Sequence, residues 1–461
     1  RNERSECFPQ RAPASASLFL DYAMIRLSTS VALAVLVTTL APSVRAQQDT
    51  TRGVRIGLTY SPGTKPGVVV FPVSAPGGDS LQAILERDFD YGDRIEVIGG
   101  DAVHETAAQQ AAKNAMDYKV WKALGAAAIV QVSVNGTTAH VVIHDVAAKK
   151  AAVSRDLPLA GAVGTEDWRM AAHAMADQIE LWITGVRGIA ATRILYVRGN
   201  RVYVIDSDGQ NDHAVTEPGT VLAPAWSPDG HTIAYSALVR TGWNIILRDL
   251  NGGRPRTVAS TPGGLNTTPA FSPDGQWLCY AHGEENGTDL YMVSASGTGA
   301  ARRVTVGRGT DNVSPTFSPD GARLAFTSGR AGHPEVYTAD ADGSNVDLLT
   351  PFNFGDQNYR SNPDWSPDGR LIAFQSQLDG RFQIMTISLR DRTVKQVTSE
   401  GINEDPSWAP DGRHLVFTSS RTGMRELFIL DTESGRTRQL THSAGGGARL
   451  AAWSHDTGHA P

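Results

Sequence analysis

Cysteine is nearly missing from this 461-residue chain: Cys7 and Cys279 are its only two, too few for a disulfide framework or a cysteine-based zinc site. An excess of positive charge is missing too. Lys and Arg number 42 against 48 Asp and Glu, a net charge of −6, which speaks against a nucleic-acid binder whose affinity rests on basic patches against phosphate. No stretch of the mature chain approaches the roughly 20 apolar residues that a membrane-spanning helix needs, so it reads as not membrane-embedded. Disorder and collagen are also excluded. The chain is 41% hydrophobic and 20% charged, and its 46 glycines and 24 prolines follow no three-residue period.

Catalytic motifs are equally scarce. His104-Glu105 opens like a zinc-protease helix, but position 108 is Ala where the second histidine is needed. There is no G-x-S-x-G elbow and no glycine loop leading from a strand into a helix to cradle phosphate. His140 and His144 lie four apart on one strand without an acidic third ligand nearby in sequence, and read as a surface or half-buried pair. His173 reads as a packing histidine and Cys279, in the strand WLCY, as a buried free thiol. The expectation is no catalytic residue, no metal and no cofactor.

The N-terminus is organised as a targeting segment. Residues 1–23 carry no periodic apolar pattern and are read as an upstream translation artefact. From Met24 the chain offers a basic Arg26, the apolar run VALAVLVTTLA at 31–41, and Val44-Arg45-Ala46 before Gln47. That is the layout of a secretory signal peptide over 24–46.

Self-similarity at a fixed period is the strongest signal. AWSPDG at 225–230, FSPDG at 271–275, FSPDG at 317–321, WSPDG at 365–369, WAPDG at 408–412 and WSHDT at 453–457 recur at gaps of 45, 46, 48, 43 and 45 residues. Pro presets φ, Asp bonds back to the local backbone, and Gly takes the positive φ that ends the turn, which explains the aspartates without calcium. About four short strands separate successive turns, and a four-stranded unit repeated every 45 residues predicts β-propeller blades. Before Trp226 three strands lack a first; after the last unit ARLAAWSHDT (448–457) is one strand lacking three. One plus three predicts an all-β six-bladed β-propeller over 192–457, closed by a C-terminal strand.

Residues 47–186 predict an α/β N-terminal domain, with strands at 67–73 and 94–99, helices at 81–89, 107–125 and 165–185, and three further strands between the last two helices. Residues 187–191 form the linker. At one mouth of the propeller, polar loops at Asn266–Pro269, Asp311–Ser314, Arg360–Asn362, Asn403–Asp405 and Ala448–Arg449 converge, which suits docking of a protein or a small ligand. Plain capping of strand starts by Asn and Ser is the competing reading.

Three stretches carry a resemblance: VRIGL at 54–58, VVFPV at 69–73, and RMAAHAMADQIELWITGVRGIAATRILYV at 169–197, together with SGRAGHPEVYTAD at 328–340. With the order of domains, they make the chain resemble the TolB family, periplasmic components of the Tol–Pal cell-envelope system. The resemblance implies a non-enzymatic, monomeric periplasmic scaffold serving outer-membrane integrity and constriction at cell division. It implies that the mouth docks the lipoprotein Pal through positions matching Leu265, Asn266, Thr268, Asn312, Val313, Arg360, Asn403, Glu404 and Asp405. TolA would dock the segment around Gln47, Gln48, Asp49, Val54, Arg55 and Ile56, and other outer-membrane proteins and lipoproteins are further partners. Leu265, Thr268 and the extension past Trp453 depart from the family's best-known members. An enzyme is the alternative: a metal-dependent lactonase with ligands among Glu404, Asp405, Asn266 and Asn312, or a peptidase-associated propeller, which would need a further hydrolase domain. Thr327 is expected to lie away from the mouth, as an outer control.

Overall fold

The computed structural model describes residues 64–113, 116–307, 309–351, 359–443 and 445–455. The signal segment, Cys7 and the expected TolA-docking residues Gln47–Ile56 lie outside them. In the α/β region, β1 (Gly67–Val70) runs parallel to both β2 (Glu96–Val97) and β3 (Ala126–Asn135). β4 (Thr138–Asp145) and β5 (Lys150–Pro158) follow antiparallel, giving the order β2-β1-β3-β4-β5. Alternation along β1 explains the layers. Val68 and Val70 join the core of α1 (Gly78–Tyr91) and α4 (Glu166–Thr184), while Val69 packs with Ala107 of α2 (Asp101–Ala112) and Trp121 of α3 (Tyr118–Ala123).

Two expectations change here. The helix expected over 107–125 is two helices, because Asp117 caps a second start by accepting the N–H of Lys119 at 3.0 Å. Gln110 Oε1 then accepts from Trp121 Nε1 at 2.9 Å and holds the pair together. The strand expected over 94–99 shrinks to Glu96–Val97. The last helix keeps its expected ends, with Thr165 as N-cap and Gly185 closing it at φ 82°.

From Arg193 to Trp453 the described residues form strands and turns. Four sheets have four strands each, and one has eight, in which two four-stranded units meet through the parallel pair Trp243↔Leu265. One of the four-stranded sheets draws on both ends of the region: Ala448–Trp453 pairs antiparallel with Arg193–Arg198, matching Ala448 to Arg198 and Trp453 to Ile194. The repeated turns have the expected chemistry. Asp229, Asp274, Asp320 and Asp368 each accept, through Oδ1, the N–H two residues on at 3.0 Å, and each is followed by glycine at φ 68–73°. The aromatic before the turn straps neighbouring strands: Trp226 Nε1 donates to Ala452 O at 3.1 Å and Trp408 Nε1 to Asp364 O at 3.2 Å. Cys279 is a fully buried free thiol, and burial pushes its pKa up to about 12.

Candidate functional site

The six strands Val221–Trp226, Leu265–Phe271, Asn312–Phe317, Arg360–Trp365, Asn403–Trp408 and Ala448–Trp453 share one irregularity. Each breaks register with its neighbour at a bulge, and the residue there has positive φ: Ala223, Thr268, Ser314, Asn362, Asp405 and Leu450, at 45–56°. None is glycine, so each carries a strain on the order of 1–3 kcal/mol. In five of the six a proline follows, at 224, 269, 315, 363 and 406, which supplies no N–H that would need a ladder partner where the register breaks. These residues line a cavity of about 410 Å³.

Hydrogen bonds run around that ring. The N–H of Thr268 donates to Ser236 Oγ at 3.2 Å, the N–H of Ser314 to Thr268 Oγ1 at 3.1 Å, and Ser314 Oγ to Asn362 Oδ1 at 3.0 Å. Asn362 Nδ2 donates to Asp405 Oδ1 at 2.7 Å. Two positions on from Asn362, Asp364 accepts the N–H of Trp408 at 2.7 Å. Burial, helped by Glu404, pushes Asp405 up to about 6; burial also raises Asp364.

Sequence reasoning placed nine residues at the mouth, and the structure divides them. Asn266, Asn312 and Asn403 are at most 1% exposed and brace the unit before their own. Asn266 Nδ2 donates to Trp243 O at 2.8 Å, Asn312 Nδ2 to Asp289 Oδ1 at 3.0 Å, and Asn403 Nδ2 to Gln383 Oε1 at 2.8 Å. Arg360 is tied to Glu335 at 2.9 Å and Glu404 to Arg425 at 3.0 Å. Thr268 and Asp405 belong to the ring, Val313 is half-buried, and Leu265 is 41% exposed. Thr327 is no outer control: it is buried, and its Oγ1 accepts the N–H of Asn362 at 3.1 Å.

Of the ligands expected of a lactonase, Asn266 and Asn312 bond the preceding unit and Glu404 pairs with Arg425, while Asp405 lines the cavity bonded to Asn362. Among the described residues the one His/Cys/Asp/Glu group compact enough for a cation is Asp93, His414 and Asp431. Asp431 already accepts from Arg413 through both oxygens, and Asp93 pairs with Lys65 and Arg436, so the positive charge a metal would bring is already supplied.

That cluster belongs to a second region the sequence did not reveal, where the α/β region meets the propeller. His173 on α4 is fully buried, with Nδ1 2.6 Å from Asp88 of α1 and Nε2 3.5 Å from Asp208 of the propeller. Burial alone would lower its pKa, but hydrogen bonds to Asp208 and Asp88 overcome that and raise it to about 9. His414, on the propeller side, sits 2.8 Å from Asp411 and 4.0 Å from Asp93, and its pKa is raised against burial in the same way. Arg94 reaches Asp411 at 3.0 Å, and Arg436 reaches Asp90 at 2.6 Å. Asp177 clasps the connection by accepting the N–H groups of Ala190 and Ala191 at 2.7 and 2.9 Å. Gly188 has to lack a side chain, since a Cβ there would lie 2.4 Å from Asp177 Oδ1. Of the other histidines, His140 pairs with Asp156 at 2.6 Å, and His144 bonds Tyr118 and Gln131 at 2.9 and 2.8 Å; they share no ligand.

Comparison with known proteins bears on the region just described. A family profile for the TolB beta propeller domain matches residues 181–457. A Tol-Pal system protein TolB from Methylococcus capsulatus is 34% identical over 213 residues, covering 42% of this chain and 48% of that protein. One from Bordetella avium is 40% identical over 154 residues, 32% of this chain and 35% of that protein. The chain thus spans about half or less of the length of these curated relatives. The crystal structure of TolB from Acinetobacter baumannii superposes with a TM-score of 0.72 at 24% identity, covering 86% of this chain and 98% of that one.

Proposed function

The chain belongs to the TolB β-propeller family, and from that membership we propose that it is a non-enzymatic docking protein of the Tol–Pal system, working in the periplasm. In this reading residues 47–186 form an N-terminal domain, 187–191 a linker and 192–457 the propeller. The eight-stranded sheet counts as two blades joined by one bridge, so that with the four other sheets the ring has six blades and closes through Ala448–Trp453.

The observation that carries the docking role is a rim of exposed apolar side chains at the end where the innermost strands begin. Leu238, Val239, Leu265, Tyr359, Ile402 and Met424 are 38–48% exposed. Backbone bonds place them at that one end: the N–H of Leu238 donates to Thr220 O, that of Gln377 to Tyr359 O, and that of Ser420 to Ile402 O. Apolar side chains gathered at one end of a rigid propeller are what a protein interface needs at its centre. Pal is the partner proposed for this rim. Leu265 and the ring residues Thr268 and Asp405 meet it, while Asn266, Asn312 and Asn403 act from behind by holding adjacent blades together. TolA is proposed for the segment Gln47–Ile56, and the assembly serves envelope integrity and constriction at division.

Isothermal titration of the mature protein with Pal from the same organism tests this. Leu265→Asp combined with Ile402→Asp is expected to weaken binding at least tenfold, about 1.4 kcal/mol, with the melting temperature unchanged. Undiminished affinity in that folded double variant would remove the rim from the interface.

A further inference from the structure

A cavity of about 520 Å³ opens at the other end of the propeller, between the turns at Ser227–Gly230 and Ser272–Gly275, and its lining includes Asp229, Asp274, Gln276, Trp277 and Arg256. Trp277 is 45% exposed, the one exposed tryptophan among the described residues. Each turn carboxylate is half committed. Asp229 Oδ1 accepts from Ser227 Oγ and the N–H of His231, and Asp274 Oδ1 from Ser272 Oγ and the N–H of Gln276. The Oδ2 of each takes neither a hydrogen bond nor an ion pair from the described residues.

The same turn three units further on shows what that oxygen can hold. At Asp411, Oδ1 accepts the N–H groups of Arg413 and His414 at 3.0 Å. Its Oδ2 accepts, at 3.0 Å, the guanidinium of Arg94, which the α/β region presents to the propeller from outside. The residue three positions past the turn aspartate is His414 there and Trp277 here. The α/β region therefore places an arginine on one of the turns that the propeller repeats.

From this internal precedent and the exposed indole we propose that the cavity between Asp229, Asp274 and Trp277 is a docking site for an arginine side chain of a partner protein. A planar guanidinium stacks on an indole face while donating along its edge to two carboxylate oxygens; a lysine ammonium offers a point charge without that fork. Arg256 has its guanidinium on the Ala295 carbonyl and is the single like charge in the lining, against two carboxylates, so a lone arginine binds weakly and exchanges fast. The site lies at the opposite end from the apolar rim, and a partner there leaves the mouth free.

The test is a titration of the mature protein, followed by the NMR signal of the Trp277 indole N–H, with acetyl-Gly-Arg-Gly-amide and its lysine and citrulline counterparts. The arginine peptide is expected to bind saturably with a Kd of about 1–10 mM, the lysine peptide at least fivefold more weakly, and the uncharged citrulline peptide not at all. Asp274→Asn and Asp229→Asn, both at exposed turn positions, are each expected to weaken the arginine peptide at least threefold without changing the melting temperature. Equal shifts from all three peptides, or affinity unaltered in both folded variants, would overturn the proposal.

Discussion

The mouth of the propeller and the face that carries the α/β region are built from opposite materials. Around the mouth the bulge residues bond mainly through hydroxyl, amide and backbone groups, the same position recurs from strand to strand, and the strain of a positive φ is distributed over six similar bulges. Under the α/β region the charge pairs follow no such repeat, although Asp411 itself sits on one of the repeated turns. His173 and His414 are buried beside aspartates, and Arg87, Arg94, Arg169 and Arg436 pair across the boundary with Asp208, Asp411 and Asp90, with Asp208 and Asp411 each serving more than one partner. A ring of equivalent bulges suits a surface that has to keep its shape when a partner arrives. A set of unique charge pairs suits a joint whose orientation has to be single-valued, because buried charges tolerate no approximate partner.

The largest expected effect tests the joint. Asp177→Ala removes the acceptor of two buried N–H groups and is expected to cost about 3–4 kcal/mol, read from the urea midpoint; a loss below about 1 kcal/mol would mean the connection is held by other contacts. Next in size is pH. The folded-state pKa of His173 lies above its ordinary 6.5, at about 9, so its stabilisation is complete below pH 6.5 and disappears as pH rises toward 9. Asp177 and Glu180, pushed up by burial to about 7 and about 8, act in the same direction, since their neutral forms are the ones favoured. Raising pH from 6 to 9 should therefore cost on the order of 3 kcal/mol through His173 alone, with Asp177 and Glu180 adding to the loss, and His173→Gln should flatten that slope in thermal melts. A propeller stripped of the α/β region is not needed to see it, because the mouth has no buried histidine between carboxylates.

A smaller effect tests the neutral side. Asn312→Ala leaves Asp289 and Ser328 short of a partner and is expected to cost about 2 kcal/mol; a change in Pal affinity with no change in stability would instead place Asn312 in direct contact. The smallest is a control. Arg392 and Asp347 are both 53% exposed in their pair, and Arg392→Ala should stay within about 0.5 kcal/mol in the same denaturation assay.

The contrast also explains what the sequence could show. Turns such as Ser227–Gly230 recur, so local chemistry repeated six times was legible, as were Thr165 and Gly185 at the ends of α4. The three asparagines stood out for the same reason, yet a one-dimensional pattern cannot say whether a strand-start amide faces solvent or the preceding strand. Asn266 and Asn312 face the preceding unit. The apolar rim escaped notice because Leu238, Tyr359 and Met424 occupy different positions in their units, and only the fold brings them to one end. The charged joint was illegible for a stronger reason. Asp88, His173 and Asp208 are separated by 85 and 35 positions, and Arg94 and Asp411 by 317, with no periodicity to connect them.

The pairing of Ala448–Trp453 with Arg193–Arg198 sets an order of events for biosynthesis. Residues 193–214 emerge early but have an uncovered strand edge until some 250 further residues have followed. Until then that edge can template the wrong neighbour. A nascent chain would therefore be vulnerable to misassembly until Ala448–Trp453 has been made, and a holding chaperone would be of most use to it up to that stage. Deleting Ala448–Trp453 should therefore act less like a trimmed loop than like a chain arrested before its two distant strands can meet.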